Sequence, residues 1–441
     1  MIQNDPMTDG LRDRHEDRAR FHVAMALYGD LTYDTRVRKE ARTLAGDGYR
    51  VTVVCLASED KPRDLPPDVQ VLVCKPVDQT VLPGQVNPFR TSTSGRLASW
   101  VRGGAWLRAY ASNLRAWGRS AARACGPVDF WHANDLTGLA AVAPVAGRNV
   151  PIVYDSHELF LEADTASRLP IPARMLLRWY ERHLVSAVSA VITVNDEIAD
   201  VLRQRYQPRR VEVVHNCPDL WSPPSVRPDL LRAAAGIPGD APVVLHHGRL
   251  GAGRGIQNLI EALRMPGLEK VHLVLMGFGP SRDTLFEAAR DPQVTRVHVL
   301  DPVPPSVLLS WVASADVGAM PNPGLTLNDR FSTPNKLFEC FAAGVPVVAS
   351  DFPTMRRIVV DNPGGPLGVV CDPSRAEEIA IALRSVLELE AAKAESLRQR
   401  CLAAARSHWN WQLESRRLTA LYDELAHLSA SRVSRTPSDP T

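Results

Sequence analysis

Two doubly wound α/β domains in series, each a Rossmann-like parallel sheet wrapped in helices, are the fold this sequence predicts, with a ligand cleft between their facing ends. Three observations carry that expectation. The chain has 441 residues, too many for one compact core and suited to two domains of roughly 150 to 200 residues. Apolar runs of strand length alternate with helical patterns from residue 21 onward, the order that builds a parallel sheet covered by helices. A proline-rich stretch, NCPDLWSPPSVRPDLL, interrupts the alternation once, and the pattern then restarts.

The expected strands of the first half are FHVAMALY (21–28), VTVVCLA (51–57), VDFWHA (128–133), IVYDS (152–156), AVITV (190–194) and VEVVHN (211–216). Between them DTRVRKEARTLAGDG and NDEIADVLRQRY have helical spacing and polar caps at their starts. In the second half APVVLHHG (241–248), VHLVLMG (271–277), RVHVL (296–300), ADVGAM (315–320), VPVVAS (345–350) and GVVCD (368–372) read as strands. The expected domains are 21–218 and 219–408, with a helix over 409–428 crossing back to the first of them. Residues 1–20 read as a disordered extension and 429–441 as a flexible tail, because both are polar.

Net charge is +2 at pH 7, too balanced for the basic face that nucleic acid requires. The seven cysteines are scattered singly with no CxxC pair, which points to a reducing, cytoplasmic setting. No run of 18 apolar residues and no signal-type h-region occurs in the sequence.

The sharpest chemistry lies in the second half. Its first strand runs through Gly248 into GRLGAGRG (248–255), a glycine-rich turn at a helix start where backbone N–H groups favour anions. The guanidiniums of Arg249 and Arg254 suit diphosphate oxygens, although a plain strand-to-helix connection is the rival reading. The spacing fits neither a P-loop nor GxGxxG, so a dinucleotide oxidoreductase is disfavoured. A second glycine loop, GFGP, puts Gly277 and Gly279 where a flat group approaches backbone closely. In FSTPNKLFECFAAGVPVVASD (331–351), Thr333 is the expected N-cap and Pro334 the first helical residue. Asn335, Lys336 and Glu339 then form one polar flank, opposite Leu337, Phe338, Cys340 and Phe341. A Lys–Glu pair on a solvated face is the bland account of that flank. A cation for a diphosphate and a carboxylate for ribose hydroxyls is the functional one.

HHGRLGAGRGIQNLIEAL, GFGP, STPNKLFECFAAGVPVVASD and HWNWQLESRRLTALYDEL together resemble the family 4 (GT4-type) retaining glycosyltransferases of GT-B fold, in the branch with an (F/Y)S-x-PNKLFE donor motif. The resemblance runs from about residue 21 to about 428. It implies transfer of a sugar from a nucleotide-diphosphate sugar to a saccharide, lipid-linked or small-molecule acceptor in cell-surface polysaccharide or glycoconjugate synthesis. By resemblance Arg249, Arg254, Glu339 and His157 serve catalysis, with Arg254 standing where lysine is usual. The implied donor-binding set is Gly248, Gly277, Gly279, Ser332, Thr333, Asn335, Lys336, Leu337 and Glu339. The first glutamate of the family's Glu-x7-Glu falls on Phe331, which removes one expected donor-sugar contact.

DLTYDTRVRKEARTLAGDGYRVTVV resembles the family's acceptor-domain opening. It places Gly29 and Asp30 near the acceptor and offers Arg36 and Lys39 to an anionic one; Asp135 and Glu158 are further acceptor-side candidates just past strand ends. With no Asp-x-Asp motif and a basic pocket in hand, no cofactor and no divalent metal is expected. In residues 96–124, Trp106, Leu107, Tyr110, Leu114 and Trp117 share one helical face and Arg108, Arg115, Arg119 and Arg123 another. Such a helix either covers the first sheet or lies peripherally on the inner membrane surface. Two rival functions stay open at this point: a GT-B sugar-nucleotide epimerase and a catalytically silent nucleotide-sugar binder.

Overall fold

The computed structural model describes residues 18–58, 62, 64–76, 96–167, 169–251, 253–289 and 296–433. Residues 1–17 and 434–441, most of the expected extension and tail, lie outside them. Arg18, within the expected extension, instead donates from Nε to Asp423 Oδ1 at 2.8 Å. The chain divides into two compact units, one running up to Val214 and resuming at Ser415, the other spanning His215–Glu414.

The first unit holds β1 (His22–Asp30), α1 (Thr35–Gly46), β2 (Arg50–Ala57), β3 (Gln70–Val73), α2 (Arg96–Cys125), β4 (Phe130–Asn134), α3 (Asp135–Val142), β5 (Ile152–Ser156), α4 (Ile171–Ala187), β6 (Ala190–Thr193), α5 (Asp196–Tyr206) and β7 (Val211–Val213). Its sheet is parallel throughout, in the order β3-β2-β1-β4-β5-β6-β7. Helices on both faces explain the unbroken apolar runs: Val23 to Ala26 are fully buried. The expected polar caps are present, since Asp34 accepts from Val37 N and Asn195 from Ile198 N, each contributing about 1 kcal/mol.

The second unit repeats the pattern with β8 (Val243–Arg249), α6 (Ile256–Ala262), β9 (His272–Phe278), β10 (Val297–Leu300), β11 (Val317–Met320), α7 (Asn335–Ala342), β12 (Val347–Ser350) and β13 (Gly368–Cys371). Its strands run parallel in the order β10-β9-β8-β11-β12-β13. In each unit the strand order reverses beside the first strand, at β1/β4 and at β8/β11. Ligands of doubly wound sheets bind outside the carboxyl ends at that switch. The last helix, α8 (Trp411–Val433), belongs to the first unit from Ser415 onward. There Tyr422 packs edge-on against Phe130 and Tyr49.

The aromatic face of α2 is turned in part to protein. Leu114 and Trp117 are buried. Trp117 Nε1 donates to the Cys74 carbonyl at 2.7 Å, and Tyr28 meets both Trp117 and Tyr110 edge-on. The helix therefore covers the first sheet and leaves Arg108, Arg115, Arg119 and Arg123 exposed. Among the described residues no helix is long and apolar enough to cross a membrane.

Candidate active site

At the carboxyl edge of the second sheet, β8 ends on Gly248 and Arg249 beside Gly277 and Phe278 of β9. A Cβ on Gly279 (φ +134°) would lie 2.3 Å from the Leu250 carbonyl oxygen, so the two glycine loops pack backbone to backbone. Gly255 (φ +72°) opens α6 against the Pro321 carbonyl, which an added Cβ would meet at 1.8 Å. Gly255→Ala should therefore cost about 2–4 kcal/mol in a thermal or denaturant unfolding measurement, through backbone strain and the clash together. Arg249 is exposed and Arg254 half-buried. Among the described residues neither guanidinium has a hydrogen bond or salt bridge.

Helix α7 begins one residue later than expected, at Asn335, with Pro334 as its N-cap (φ −67°, ψ 137°) and no side chain capping its first turn. Proline's fixed φ suits that extended position equally well. Leu337, Phe338, Cys340 and Phe341 are buried as periodicity requires. Lys336 departs from the expectation: only 9 % exposed, it is not on a solvated flank and does not pair with Glu339. Its Nζ lies 3.0 Å from His246 Nε2. His246 Nδ1 lies 2.9 Å from the Ala319 carbonyl, so Nδ1 carries the proton and Nε2 accepts from the ammonium. Burial, and after it the Lys336 charge, hold His246 well below the usual histidine range. Burial and the neighbouring Arg254 charge push Lys336 down to about 7. Glu339, in turn, accepts from His247 Nε2 at 2.8 Å. Consecutive histidines at the end of β8 thus hold Lys336 and Glu339 of α7. Asn335 accepts from Asn216 Nδ2 at 3.0 Å, and Ser332 Oγ donates to the Asp329 carbonyl at 3.1 Å.

The carboxyl edge of the first sheet carries a different chemistry. His157, just past β5, has Nε2 2.9 Å from Asp155 Oδ2 and Nδ1 3.5 Å from Asp135 Oδ2. Burial opposes its charge, but Asp135 and then Asp155 outweigh it and hold His157 well above the usual histidine range. Asp135 sits at the β4–α3 junction with φ +56°, a conformation disfavoured for a side-chain-bearing residue. Beneath them Arg36 of α1 grips Asp155 through Nε (2.7 Å) and Nη2 (2.8 Å), approaches Glu40 at 3.1 Å and donates from Nη1 to the Val214 carbonyl. His132 of β4 faces Glu40 at 3.3 Å, and its Nδ1 bonds Tyr422 at 2.9 Å. Against burial, Asp155 and Glu40 raise His132 to about 9. Three cations, Arg36, His132 and His157, thus face three carboxylates, Glu40, Asp135 and Asp155. Glu40, His132 and Asp155 come close enough together for one metal ion. The Arg36 guanidinium already contacts both of those carboxylates, so the donor set fits an ion-pair network rather than a divalent cation.

The sequence matches two family models, one described as Glycosyltransferase Family 4 over residues 34–221 and one as Glycosyl transferases group 1 over residues 241–389. Among curated proteins it is 27 % identical over 374 residues to a D-inositol 3-phosphate glycosyltransferase of Xylanimonas cellulosilytica, covering 78 % of this chain and 81 % of that one. It is 24 % identical to the alpha-D-kanosaminyltransferase of Streptomyces kanamyceticus, covering 80 % and 89 %. Sucrose-phosphate synthase from Thermosynechococcus elongatus shares the fold with a TM-score of 0.69 at 17 % identity, over 92 % of this chain and 99 % of that one. Anabaena HepE in complex with UDP shares it at 0.66 and 16 % identity, over 92 % and 100 %. The chain is a glycosyltransferase of the GT-B fold.

In this glycosyltransferase the structure brings Arg254, Lys336 and Glu339 together with the unanticipated His246 and His247. It also brings His157 to Asp135, and both to Asp155, which sequence reasoning did not single out. Arg36 is corrected: its guanidinium is spent on Asp155, Glu40 and Val214 inside the unit, so it presents nothing to an anionic acceptor. Gly29 and Asp30 do end β1, where Asp30 Oδ1 accepts from Thr32 N at 2.9 Å. Glu158 is half-buried beside His157, its carbonyl accepting from Ser156 Oγ. Phe331 closes a short helix, Leu327–Phe331, and its carbonyl accepts from Thr354 Oγ1 at 3.2 Å. The one readable signal for the missed pair was HHG at a strand's carboxyl end.

Proposed function

We propose that this glycosyltransferase moves a sugar, with retention at the anomeric carbon, from a nucleoside-diphosphate sugar to a saccharide, lipid-linked or small-molecule acceptor. On this reading it serves cell-surface polysaccharide or glycoconjugate synthesis, in the branch whose donor motif reads (F/Y)S-x-PNKLFE. The observation that carries it is one cluster: Arg249 and Arg254 uncommitted, Lys336 and Glu339 each held by a histidine, all at one sheet's carboxyl edge. UDP bound to the GT-B relative HepE supports a diphosphate donor.

In the proposed step the bond from the anomeric carbon to the diphosphate oxygen breaks and an acceptor hydroxyl adds on the same face. Its proton passes to the departing phosphate oxygen. Arg249, Arg254, Lys336 and the uncapped N-terminus of α7 oppose the charge growing on that phosphate. Glu339, with one oxygen fixed by His247, keeps lone pairs for the ribose hydroxyls. Gly248, Gly277 and Gly279 allow close approach of the donor, and Ser332, Thr333, Asn335 and Leu337 complete its expected contacts. His157 is assigned to the transferred sugar, with Asp135 and Asp155 fixing its ring; Gly29, Asp30 and Glu158 remain on the acceptor side. A cytoplasmic setting is supported by seven free cysteines.

The fixed cations take the role a divalent ion would otherwise fill. Excess EDTA should therefore leave turnover within about twofold, whereas loss of activity restored by magnesium would reject that assignment. A thermal-shift panel of UDP, GDP and ADP sugars tests the donor: a ligand at 100 times its Kd stabilises by about 2.7 kcal/mol. A matching nucleotide should raise the melting temperature in wild type and not in Arg249→Ala. A flat response across the panel would reject the donor reading.

A further inference from the structure

His246 and His247 are neighbours at the end of β8, yet only the first is fully bonded. His246 uses both ring nitrogens, Nδ1 on the Ala319 carbonyl at 2.9 Å and Nε2 on Lys336 Nζ at 3.0 Å. His247 uses one. Its Nε2 donates to Glu339 Oε2 at 2.8 Å, while Nδ1 is enclosed and has no hydrogen-bond partner among the described residues. In the neutral ring the nitrogen that does not donate is an acceptor, and an acceptor shut away from water without a donor costs stability. Packing alone would favour an apolar side chain of similar shape at this position.

The two ends of the His247–Glu339 bond differ in a way that explains why a histidine stands there. The His247 side chain is 3 % exposed and that of Glu339 20 %. His247 lies on an interior strand, its backbone in register with Met276 of β9, so the imidazole is a donor held in one place. Glu339 has a long flexible side chain that reaches solvent, and its Oε1 bonds to no described residue. The tether therefore fixes one carboxylate oxygen and leaves the other open. It also removes in advance the rotamer freedom that an untethered glutamate would lose on meeting a ligand.

We propose that His247 is a positioning residue for the nucleotide: by fixing Glu339 it sets the affinity for a nucleoside diphosphate and the preference for ribose over deoxyribose. This rests on the donor reading above, in which Glu339 meets the ribose hydroxyls, and it gives His247 itself no contact with the ligand. Its test is titration calorimetry of the full chain with UDP, GDP and ADP and with their 2′-deoxy and 3′-deoxy counterparts. For the nucleotide that binds wild type, at least one deoxy form should bind about tenfold or more weakly, the loss of a hydrogen bond to a charged group. His247→Leu should weaken the ribonucleotide about tenfold and narrow its advantage over that deoxy form to about threefold or less. His247→Gln, whose amide nitrogen can take the place of Nε2, should stay within about threefold of wild type on both counts. Without ligand, His247→Leu should melt at or above the wild-type temperature, since the orphaned nitrogen is gone and water can solvate the released Glu339. A residue needed only for folding would do the reverse, lowering the melting temperature and leaving the ribose preference intact. That result, or nucleotide binding by His247→Leu equal to wild type, overturns the proposal. Glu339→Ala separates it from the donor reading. If Glu339→Ala loses the ribose preference and His247→Leu keeps it, only the role of His247 falls. If Glu339→Ala keeps the wild-type preference, or no nucleotide binds wild type, the donor reading falls and the proposal with it.

Discussion

Lys336→Ala should lower kcat/KM for the nucleotide-sugar donor by about 10²- to 10³-fold, or roughly 3–4 kcal/mol of barrier. The size follows from placement. An exposed cation is replaced in part by water and salt, whereas Lys336 is buried at the start of α7 and water does not substitute for it. Its ammonium is aimed by His246, a neutral acceptor locked in one tautomer by the Ala319 carbonyl. The pH profile gives this prediction its own signature. Burial and Arg254 place the free group near 7, so the charged form prevails below neutrality and is lost above it. If only the ammonium form opposes the leaving phosphate, kcat/KM is flat below about pH 7 and falls toward tenfold per unit above it. Lys336→Arg should remove that falling limb, because a guanidinium stays charged throughout. A profile flat from pH 6 to 9, with Lys336→Ala within threefold of wild type, would exclude the lysine from the reaction.

Asp155→Ala should cost about 3–5 kcal/mol of stability in the first unit. The substitution strands Arg36 and His132, both fully enclosed, with Glu40 alone between them. At roughly 2–4 °C per kcal/mol for a unit of this size, the melting transition should fall by about 6–20 °C. The sign with pH follows from the shifts. Asp155 is held well below its ordinary 3.8, chiefly by Arg36 once burial is overcome, so its contribution is present above that value and lost on acidification. His132 is raised from 6.5 to about 9, so its contribution is full below 6.5 and disappears as pH rises through 9. Wild-type stability from this cluster should therefore be greatest between about pH 4 and 6.5 and should decline toward pH 9. An Asp155→Ala protein that melts with wild type would mean the cluster is not the ion pair its distances describe.

The sheets were legible because both faces of each are covered, so their strands read as unbroken apolar runs. The exception is β3, QVLV, which escaped notice as a short edge strand whose end residues are exposed. Caps were legible where a side chain performs them, at Asp34 and Asn195, and were misplaced by one residue where Pro334 does so. Burial of charge was not legible. Arg36 on a helix looks like a solvated cation until Asp155, 119 residues away, is folded against it. Lys336 likewise lies under the surface because His246, 90 residues away, supplies an acceptor there. The aromatics of α2 showed the same limit from the other side, since amphipathic spacing cannot say whether protein or lipid takes the apolar face.

Arg249, Arg254 and Lys336 should grip a diphosphate while Glu339 holds the ribose. The most direct measurement is a crystal structure of the protein soaked with a nucleoside diphosphate identified by thermal shift. Phosphate oxygens should lie within hydrogen-bond distance of both guanidiniums and of Lys336 Nζ, with ribose hydroxyls on Glu339. A diphosphate bound elsewhere, with the two arginines turned away and Glu339 still closed on His247 alone, would contradict that placement.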